Sequence, residues 1–301
     1  MVYFVVSPKM RGFLYAMVGA IMFSSKAIFI KLGYQIDMSF LDLLVVRGLF
    51  AVPVFICIAL YYVFNSKTES LSGVDKVSII GLGFLGYYLS SVLDFFGLNF
   101  IPASLERVIL YIYPTIVVLI GYVMFGRRLH PMQLFSLLVT YIGICVAVLN
   151  QGVGAGATDI FRGCMFVGLS TVSYGLFIVF SGEIIPKIGS VRYISLVMLV
   201  SYSFIGCHYM LLQGFVLPSF TSETVRIGMA LGIICTVIPT LCLAQAIYLI
   251  GSSNTALIGG VRPVSTIVLA SVFLGESLLA VQIVGVALVI VGVASLQFVR
   301  Q

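Results

Sequence analysis

Apolar residues fill the chain in long, nearly continuous blocks that are separated by short clusters of polar residues, proline and glycine. A helix needs about 20 apolar residues to cross a bilayer, and ten blocks approach or exceed that length. The blocks cover residues 11–34, 39–64, 75–99, 103–125, 131–149, 161–182, 190–213, 224–249, 252–274 and 280–299. They lack the alternation of apolar and polar residues that is typical of membrane barrels. The pattern therefore predicts an all-α membrane protein with ten transmembrane helices.

The composition indicates that lipid is the solvent of this chain. Of its 301 residues, 61% are hydrophobic and 9% are charged, and the mean hydropathy is +1.21. Soluble domains are about 25% charged, and no soluble fold buries this much apolar surface. The first block is too long for the core of a signal peptide and lacks a small-residue cleavage site, so we expect it to be a span.

Neither an enzyme nor a metalloprotein is predicted. The six cysteines all lie inside apolar blocks without paired spacing, which is typical of small buried hydrophobic residues. The two histidines, His130 and His208, have no partners at ligand spacing. The chain contains no phosphate-binding loop and no nucleophile elbow. We therefore expect no cofactor and no ATP hydrolysis, and transport work would be driven by gradients or by exchange.

The basic residues of the predicted loops are distributed unevenly. If both termini are cytoplasmic, most basic loop residues lie on the inner side, as the positive-inside rule requires. The inner residues are Lys9, Arg11, Lys67, Lys76, Arg127, Arg128, Lys187, Arg192 and Arg300, and the outer ones are Lys31, Arg162 and Arg226. We therefore expect a multi-pass protein of the cell (inner) membrane, and we attribute the net charge of +6 to its orientation rather than to a nucleic-acid partner.

The two halves of the chain resemble each other. A shift of 149 residues superimposes polar, glycine and proline positions without a gap. The matched pairs are Gly83 with Gly232, Pro114 with Pro263, Gly126 with Gly275, Leu129 with Leu278, Gln133 with Gln282 and Gly143 with Gly292. We predict a first five-helix repeat over residues 1–151, a Gly/Ala-rich linker over 152–157 and a second repeat over 158–301. Because each repeat has an odd number of spans, the second is inverted in the membrane, as in many carriers.

The strongest local pattern lies near the end of the second repeat. Pro263 is followed by Phe273-Leu274-Gly275-Glu276-Ser277-Leu278 and then by Gln282, Gly285, Ile290, Gly292 and Val293. With its weaker copy in the first repeat, this stretch resembles the EamA-type transporters of the drug/metabolite transporter superfamily. The first copy departs from the pattern, because Arg127 replaces the acidic residue and Ser136 replaces Gly285. The resemblance implies a carrier of small organic solutes, often an exporter, with its cavity between the repeats.

Six ionisable residues lie deep or semi-deep within the predicted spans. Charges in a membrane are costly unless they are paired or hydrated, so each is a candidate for function. The residues are Lys26, Arg47, Asp94, Glu106, Arg107 and Arg262. Lys26 and Arg262 lie nearest the midplane by residue count, and we expect them to bind an anionic group of the solute. The alternatives are snorkelling for Lys26 and a simple kink at Arg262, which precedes Pro263.

Asp94 and Glu106 are the candidates for ion coupling. Asp94 either forms a structural ion pair with Arg47 or Arg107 or takes part in proton coupling. Glu106 and Arg107 fall in the first turn of their helix, where an interfacial position requires no special role. Arg47 and Arg107 are also candidates for substrate binding. The excess of two positive charges within the spans predicts an anionic or zwitterionic solute, such as an amino acid.

Polar and aromatic stripes mark the helix faces that we expect to point inward. The stripes are Tyr87, Ser91 and Asp94 on span three; Arg107, Tyr111 and Pro114 on span four; and Ser170, Tyr174, Phe177 and Ser181 on span six. Such stripes either mediate helix packing or line a cavity. Of the tyrosines, we expect Tyr111, Tyr88 and Tyr174 to shape the pocket, because a tyrosine offers both a ring face and a hydroxyl group.

These observations together predict a secondary transporter, an exporter or an exchanger, that works by alternating access. Its partners would be a small-molecule substrate, membrane lipid and either protons or a counter-substrate, and it would act as a monomer or a homodimer. One alternative is a lipid flippase on the same scaffold. The other is a non-transporting membrane receptor or assembly factor, which would produce no solute flux and would tolerate loss of the central charges.

Overall fold

The computed structural model describes residues 7–65, 71–101, 106, 109–148, 157–214, 216, 218–274 and 280–295. Within these ranges the chain forms helices, turns and short connections, and no strand. Six helical stretches are long and apolar enough to cross a membrane, and shorter apolar helices accompany them. Large apolar side chains such as Val63 and Leu211 are 72% and 83% exposed on the outer surface, where a soluble protein would carry charge. The fold is that of a multi-pass membrane protein.

Among the described residues the first repeat has seven helices, which belong to its five spans. They are α1 (Pro8–Ser24), α2 (Lys26–Gln35), α3 (Phe40–Asn65), α4 (Gly73–Gly83), α5 (Ser90–Gly97), α6 (Tyr113–Phe125) and α7 (Pro131–Val148). The second repeat contributes α8 (Ala157–Ile188), α9 (Ser190–Gln213), α10 (Ser222–Met229), α11 (Ile238–Ile258), α12 (Val261–Leu274) and α13 (Ala280–Ser295). Three pairs of helices each form one span, namely α1 with α2, α4 with α5, and α10 with α11, so the described helices make up the ten predicted spans. The predicted linker lies almost wholly outside the described residues.

Each repeat carries a π-helical segment in its third span. The first segment is Phe84–Leu89, between α4 and α5, and the second is Ala230–Val237, between α10 and α11. A shift of 149 residues makes the two segments overlap. The hydroxyl of Thr236 donates to the carbonyl of Leu231, five residues earlier, at 2.7 Å. The two repeats therefore share a deformation that is frequent at functional sites.

The fourth span of each repeat is interrupted. In the second repeat, α11 is kinked at Gly251, whose φ of +78° and ψ of 164° are not helical and favour glycine, and a turn at Gly259 and Gly260 precedes α12. The predicted span 252–274 is therefore two helical pieces, because the turn and Pro263 remove helix hydrogen bonds. In the first repeat, a turn at residues 111–112 precedes α6. Discontinuous helices at matched positions are a feature of inverted-repeat transporters.

Glycines at matched positions pack the repeats against each other reciprocally. A Cβ on Gly143 of α7 would lie 2.8 Å from the carbonyl oxygen of Gly285 on α13, and one on Gly292 would lie 3.1 Å from that of Ser136. The two contacts are equivalent in the two repeats, because the 149-residue shift relates Gly143 to Gly292 and Ser136 to Gly285. Small residues let the helix backbones approach closely. The reciprocity confirms the prediction of two inverted five-helix repeats.

Candidate functional site

A central cavity lies between the two repeats. Its volume is about 50 Å³, which is smaller than the roughly 300–1,000 Å³ that is typical of small-molecule sites, so the cavity must widen to accept a solute. Both π-helical segments and both interrupted spans reach it. The lining residues are Phe23, Lys26, Arg47, Gly86, Tyr87, Ser90, Ser91, Asp94, Leu110, Tyr113, Ser170, Tyr174, Thr236 and Arg262. Four of the six ionisable residues singled out from the sequence therefore meet in one place.

Lys26 and Asp94 form an ion pair on the cavity wall. The Lys26 ammonium nitrogen lies 2.5 Å from Oδ2 of Asp94, and the side chains are 14% and 3% exposed. Lys26 is the first residue of α2, directly after the break at Ser25, and Asp94 lies in α5. The ring of Phe95 lies 5.6 Å from the same ammonium. The pair is thus enclosed by protein, where its attraction is screened far less than in water.

Arg47, one of the two arginines that the sequence offered as a partner of Asp94, has neutral partners instead. Its terminal nitrogens donate to the hydroxyl of Ser91 at 3.3 and 3.4 Å. Its guanidinium carbon lies 5.1 Å from the ring centre of Phe95 and 5.6 Å from that of Tyr202. Arg47 is 3% exposed, and no carboxylate of the described residues lies within 4 Å of it. Rings stabilise a cation but do not neutralise it.

Arg262 lies in a cage of aromatic rings. Its guanidinium carbon is 4.9 Å from the ring centre of Phe23, 5.4 Å from that of Tyr113 and 5.7 Å from that of Tyr174. One terminal nitrogen is 3.5 Å from the hydroxyl of Tyr174, and Nε has no hydrogen-bond partner among the described residues. Like Arg47, it has no carboxylate within 4 Å in the part of the chain that the structure describes. The cage therefore holds a charge that is still to be neutralised.

Hydrogen bonds to the interrupted helices fix the position of Arg262. The hydroxyl of Tyr111 donates to the carbonyl of Leu257, and that of Tyr113 donates to the carbonyl of Ala256, each at 3.0 Å. Both carbonyls lie in the last turn of α11, just before α12 begins. From α1, the hydroxyl of Ser24 donates to the carbonyl of Arg262 itself at 3.0 Å. The break that exposes Arg262 is thus held by side chains of the other repeat.

Only one of the three tyrosines predicted to shape the pocket is among the described cavity-lining residues. Tyr174 lines the cavity, whereas Tyr111 is buried and positions the break as described above. Tyr88 points away from the cavity lining, packs on Phe84 and Phe204, and shares a hydrogen bond of 3.3 Å with Nδ1 of His208.

Two cavity tyrosines, Tyr87 and Tyr113, were not on the predicted pocket list. The inward stripe of span three did signal Tyr87, and all three members of that stripe line the cavity. Nothing in the pattern marked Tyr113. Glu106 is fully buried and does not line the cavity, while Arg107 lies outside the described residues.

A second polar network joins the repeats at the predicted cytoplasmic end. Arg127, in the connection after α6, forms an ion pair with Glu183 of α8 and donates to the hydroxyl of Ser252 on α11, the latter at 2.7 Å. Close by, the amide of Gln133 on α7 donates to the amide oxygen of Asn254 on α11 at 2.9 Å. Each contact joins a residue of the first repeat to one of the second. The sequence marks Arg127 as a loop charge and as the departure from the acidic position of the second repeat, but it does not indicate these contacts.

Known proteins resemble this chain along nearly its whole length. The model of the EamA-like transporter family matches residues 10–149 and again residues 161–297. An uncharacterized transporter of Bacillus subtilis, YcbK, is 29% identical over 293 residues, which cover 91% of this chain and 88% of that protein. An uncharacterized transporter of Synechocystis, sll1319, is 26% identical over 226 residues, covering 73% of this chain and 66% of that protein.

A solved crystal structure has the same fold. It aligns with a TM-score of 0.75 at 17% sequence identity, and the alignment covers 94% of each chain. At that identity the likeness concerns the fold alone.

Proposed function

The chain belongs to the EamA-like transporter family, and from this premise we propose that it is a secondary transporter, an exporter or an exchanger, of a small anionic or zwitterionic metabolite such as an amino acid. The observation that carries the proposal is Arg262, a cation in the central cavity whose described partners are all neutral. A charge in a membrane interior costs several kcal/mol unless it is compensated. A passing anion compensates it, and such transient compensation is what a carrier requires.

Alternating access follows from how the repeats are joined. Arg127, Glu183 and Ser252 hold the repeats together at the predicted cytoplasmic end. Opening the cavity to the cytoplasm requires the helices there to separate, so this network must break during the transport cycle. Because the repeats are inverted copies, rocking one against the other opens each face in turn. We place the protein in the inner membrane with both termini in the cytoplasm, as the loop charges indicate.

Lys26 and Asp94 are suited to coupling. Substrate and Asp94 compete for the same ammonium, because an anion bound to Lys26 displaces the carboxylate that now holds it. A displaced carboxylate in an apolar site favours its protonated form. We therefore propose that Asp94 couples solute movement to protons, or that a counter-substrate restores the pair in an exchanger.

The test combines binding and flux. A thermal-shift screen of the purified protein against amino acids, organic acids and nucleosides selects a solute, because a ligand of the folded state raises its stability. Counterflow of that solute is then measured in sealed proteoliposomes containing wild-type protein, Arg262→Gln or Arg226→Gln. Arg226 is an exposed arginine of α10 and is the matched control. We expect flux in wild type and in Arg226→Gln and none in Arg262→Gln; wild-type flux in Arg262→Gln would contradict the proposal.

One observation favours a second candidate, a flippase for lipid-like solutes. An apolar groove with a volume of about 540 Å³ runs between α1, α12 and α13. It is lined by Phe13, Met17, Ile21, Val261, Val264, Ser265, Val268, Leu269, Ile290, Val293 and Ala294, and Val261 adjoins Arg262. An acyl chain fits such a groove while its headgroup reaches the cavity. Scrambling of a fluorescent anionic lipid, together with no counterflow of any soluble solute, would favour the flippase.

A further inference from the structure

The charged side chains of the central cavity do not balance. Lys26, Arg47 and Arg262 are cationic and Asp94 is the one anionic side chain among the described lining residues, which leaves a charge of +2. Asp94 is engaged by Lys26 at 2.5 Å. The two guanidinium groups that lack a described carboxylate therefore account for the whole excess. They come from opposite repeats, Arg47 from α3 and Arg262 from α12.

We infer that the substrate is a dianion with two separated carboxylates, one bound by Arg262 and the other by Arg47. The inference rests on the proposed function and narrows its substrate class. A guanidinium presents two parallel N–H groups that match a carboxylate, and such bidentate pairs are among the strongest hydrogen bonds in proteins. A dicarboxylate would join one repeat to the other through its own carbon chain, and so would compensate both charges at once.

Solutes of other charge fit the same cavity less well. A monocarboxylate leaves one guanidinium without a countercharge, and a zwitterion such as alanine leaves the total charge of the cavity at +2. Since buried charges that lack compensation are costly, the order of binding should be dicarboxylate, then monocarboxylate, then zwitterion.

Tyr87 adds a second element of recognition. Its hydroxyl has no hydrogen-bond partner among the described residues although the side chain is 5% exposed, and it lines the same cavity. A buried hydroxyl without a partner is unfavourable. A substrate carboxylate that accepts a hydrogen bond from this hydroxyl removes that cost. Sites that donate such a bond discriminate strongly against analogues that cannot accept it.

The experiment compares small probes of different charge by thermal shift and by counterflow in proteoliposomes. The probes are succinate, butyrate and succinamate, in which an amide replaces one carboxylate, with alanine as the zwitterion. Malonate, glutarate and adipate then measure the spacing of the two subsites. We expect a dicarboxylate of one chain length to bind at least about 30-fold more tightly than its monocarboxylate counterpart, the factor typical of losing one buried charge partner.

Variants assign each carboxylate to its arginine. Arg47→Gln and Arg262→Gln should each lower dicarboxylate affinity by at least about 30-fold and reduce the preference over butyrate to within about threefold. Tyr87→Phe should weaken dicarboxylate binding by about tenfold and leave butyrate binding nearly unchanged. If a glutamine variant fails to fold, Arg47→Lys and Arg262→Lys keep the charge without the bidentate geometry; they should retain the preference with weaker affinity. Arg226→Gln is the control.

The outcomes separate this inference from the proposed function. Tight dicarboxylate binding that both arginine variants abolish supports the inference. Equal or better flux of butyrate, succinamate or alanine than of every dicarboxylate overturns it and leaves the proposed transporter intact. Absence of counterflow for every soluble solute would overturn both proposals.

Discussion

Two arginines of this chain lie between the repeats, and they differ in their partners. Arg127, at the predicted cytoplasmic end, pairs with the carboxylate of Glu183 and with the hydroxyl of Ser252. Arg262, at the centre, contacts three aromatic rings and one tyrosine hydroxyl. The first set of interactions is electrostatically complete within the protein. The second is incomplete among the described residues, although Arg262 is the more deeply placed of the two.

This difference indicates where a solute acts in the cycle. A complete ion pair stabilises the conformation in which it forms, so the Arg127 network favours one state of the empty protein. An incomplete site gains its countercharge only with the solute, so occupancy changes the free energy of the protein most at the centre. Ligands shift conformational equilibria only through such differential interactions. The peripheral pair therefore sets the resting state, and the central arginine responds to the substrate.

Replacing each arginine by methionine should give the largest contrast. Arg262→Met should abolish counterflow and the thermal shift that the substrate produces, a loss of at least about 30-fold in affinity. Because the variant removes a buried charge without a described countercharge, the empty protein should be as stable as wild type or more stable. Arg127→Met should retain substrate binding. Thermal unfolding in detergent with and without ligand measures both quantities, and loss of ligand binding in Arg127→Met would remove the distinction.

The Lys26–Asp94 pair combines features of the two arginines. Like Arg127, Lys26 has a carboxylate partner in the empty protein, and like Arg262, it lies on the cavity wall. Asp94→Asn cannot exchange a proton, so it should retain counterflow while losing accumulation driven by a pH gradient. One pH unit drives about a tenfold concentration ratio for each coupled proton, and that ratio should fall to one. Accumulation at the wild-type level in Asp94→Asn would show that this carboxylate is not the coupling group.

The Arg127 network should have a smaller and reversible effect. Both side chains of the ion pair are about a third exposed, and exposed pairs contribute no more than about 1 kcal/mol, or about a fivefold population shift. Arg127→Glu and Glu183→Arg should each raise the labelling rate of a cysteine at Ser253, a lining residue of the adjacent pocket, by about two- to fivefold in a cysteine-free background. The double variant restores the pair with its charges exchanged and should return the rate towards that of the parent.

The sequence was sufficient to predict the fold because lipid imposes simple rules. The length of the apolar blocks, the loop charges and the 149-residue shift each follow from the bilayer or from duplication, and none requires knowledge of packing. The cost of charge in a membrane also identified Lys26, Arg47, Asp94 and Arg262 as a group. Their partners could not be predicted, since pairing depends on the rotation of each helix. Lys26 rather than Arg47 pairs with Asp94, and Lys26 lies at the start of α2, directly after the break at Ser25.

The choice of pocket tyrosines shows the same limit. Adjacent residues of a helix differ by about 100° in direction, so a single position decides whether a side chain lines the cavity. The π-helical segment Phe84–Leu89 changes that register without a signal in the hydropathy pattern. Tyr113 was also missed, because the turn at residues 111–112 that directs it towards the cavity has no glycine or proline of its own.

Tyr88 and Tyr87 provide the finest test, because they are neighbours in that π-helical segment with opposite surroundings. The Tyr88 hydroxyl is bonded to His208 away from the cavity lining, whereas that of Tyr87 has no described hydrogen-bond partner and belongs to a cavity residue. Tyr88→Phe should change the counterflow affinity by less than about twofold, since it removes one hydrogen bond of about 1 kcal/mol that the substrate does not contact. Tyr87→Phe removes the group that we assign to the substrate, so its effect should be several times larger under the same conditions. Equal losses in the two variants would contradict the assignment of the Tyr87 hydroxyl to the substrate, because the cavity tyrosine would then matter no more than its neighbour outside the cavity.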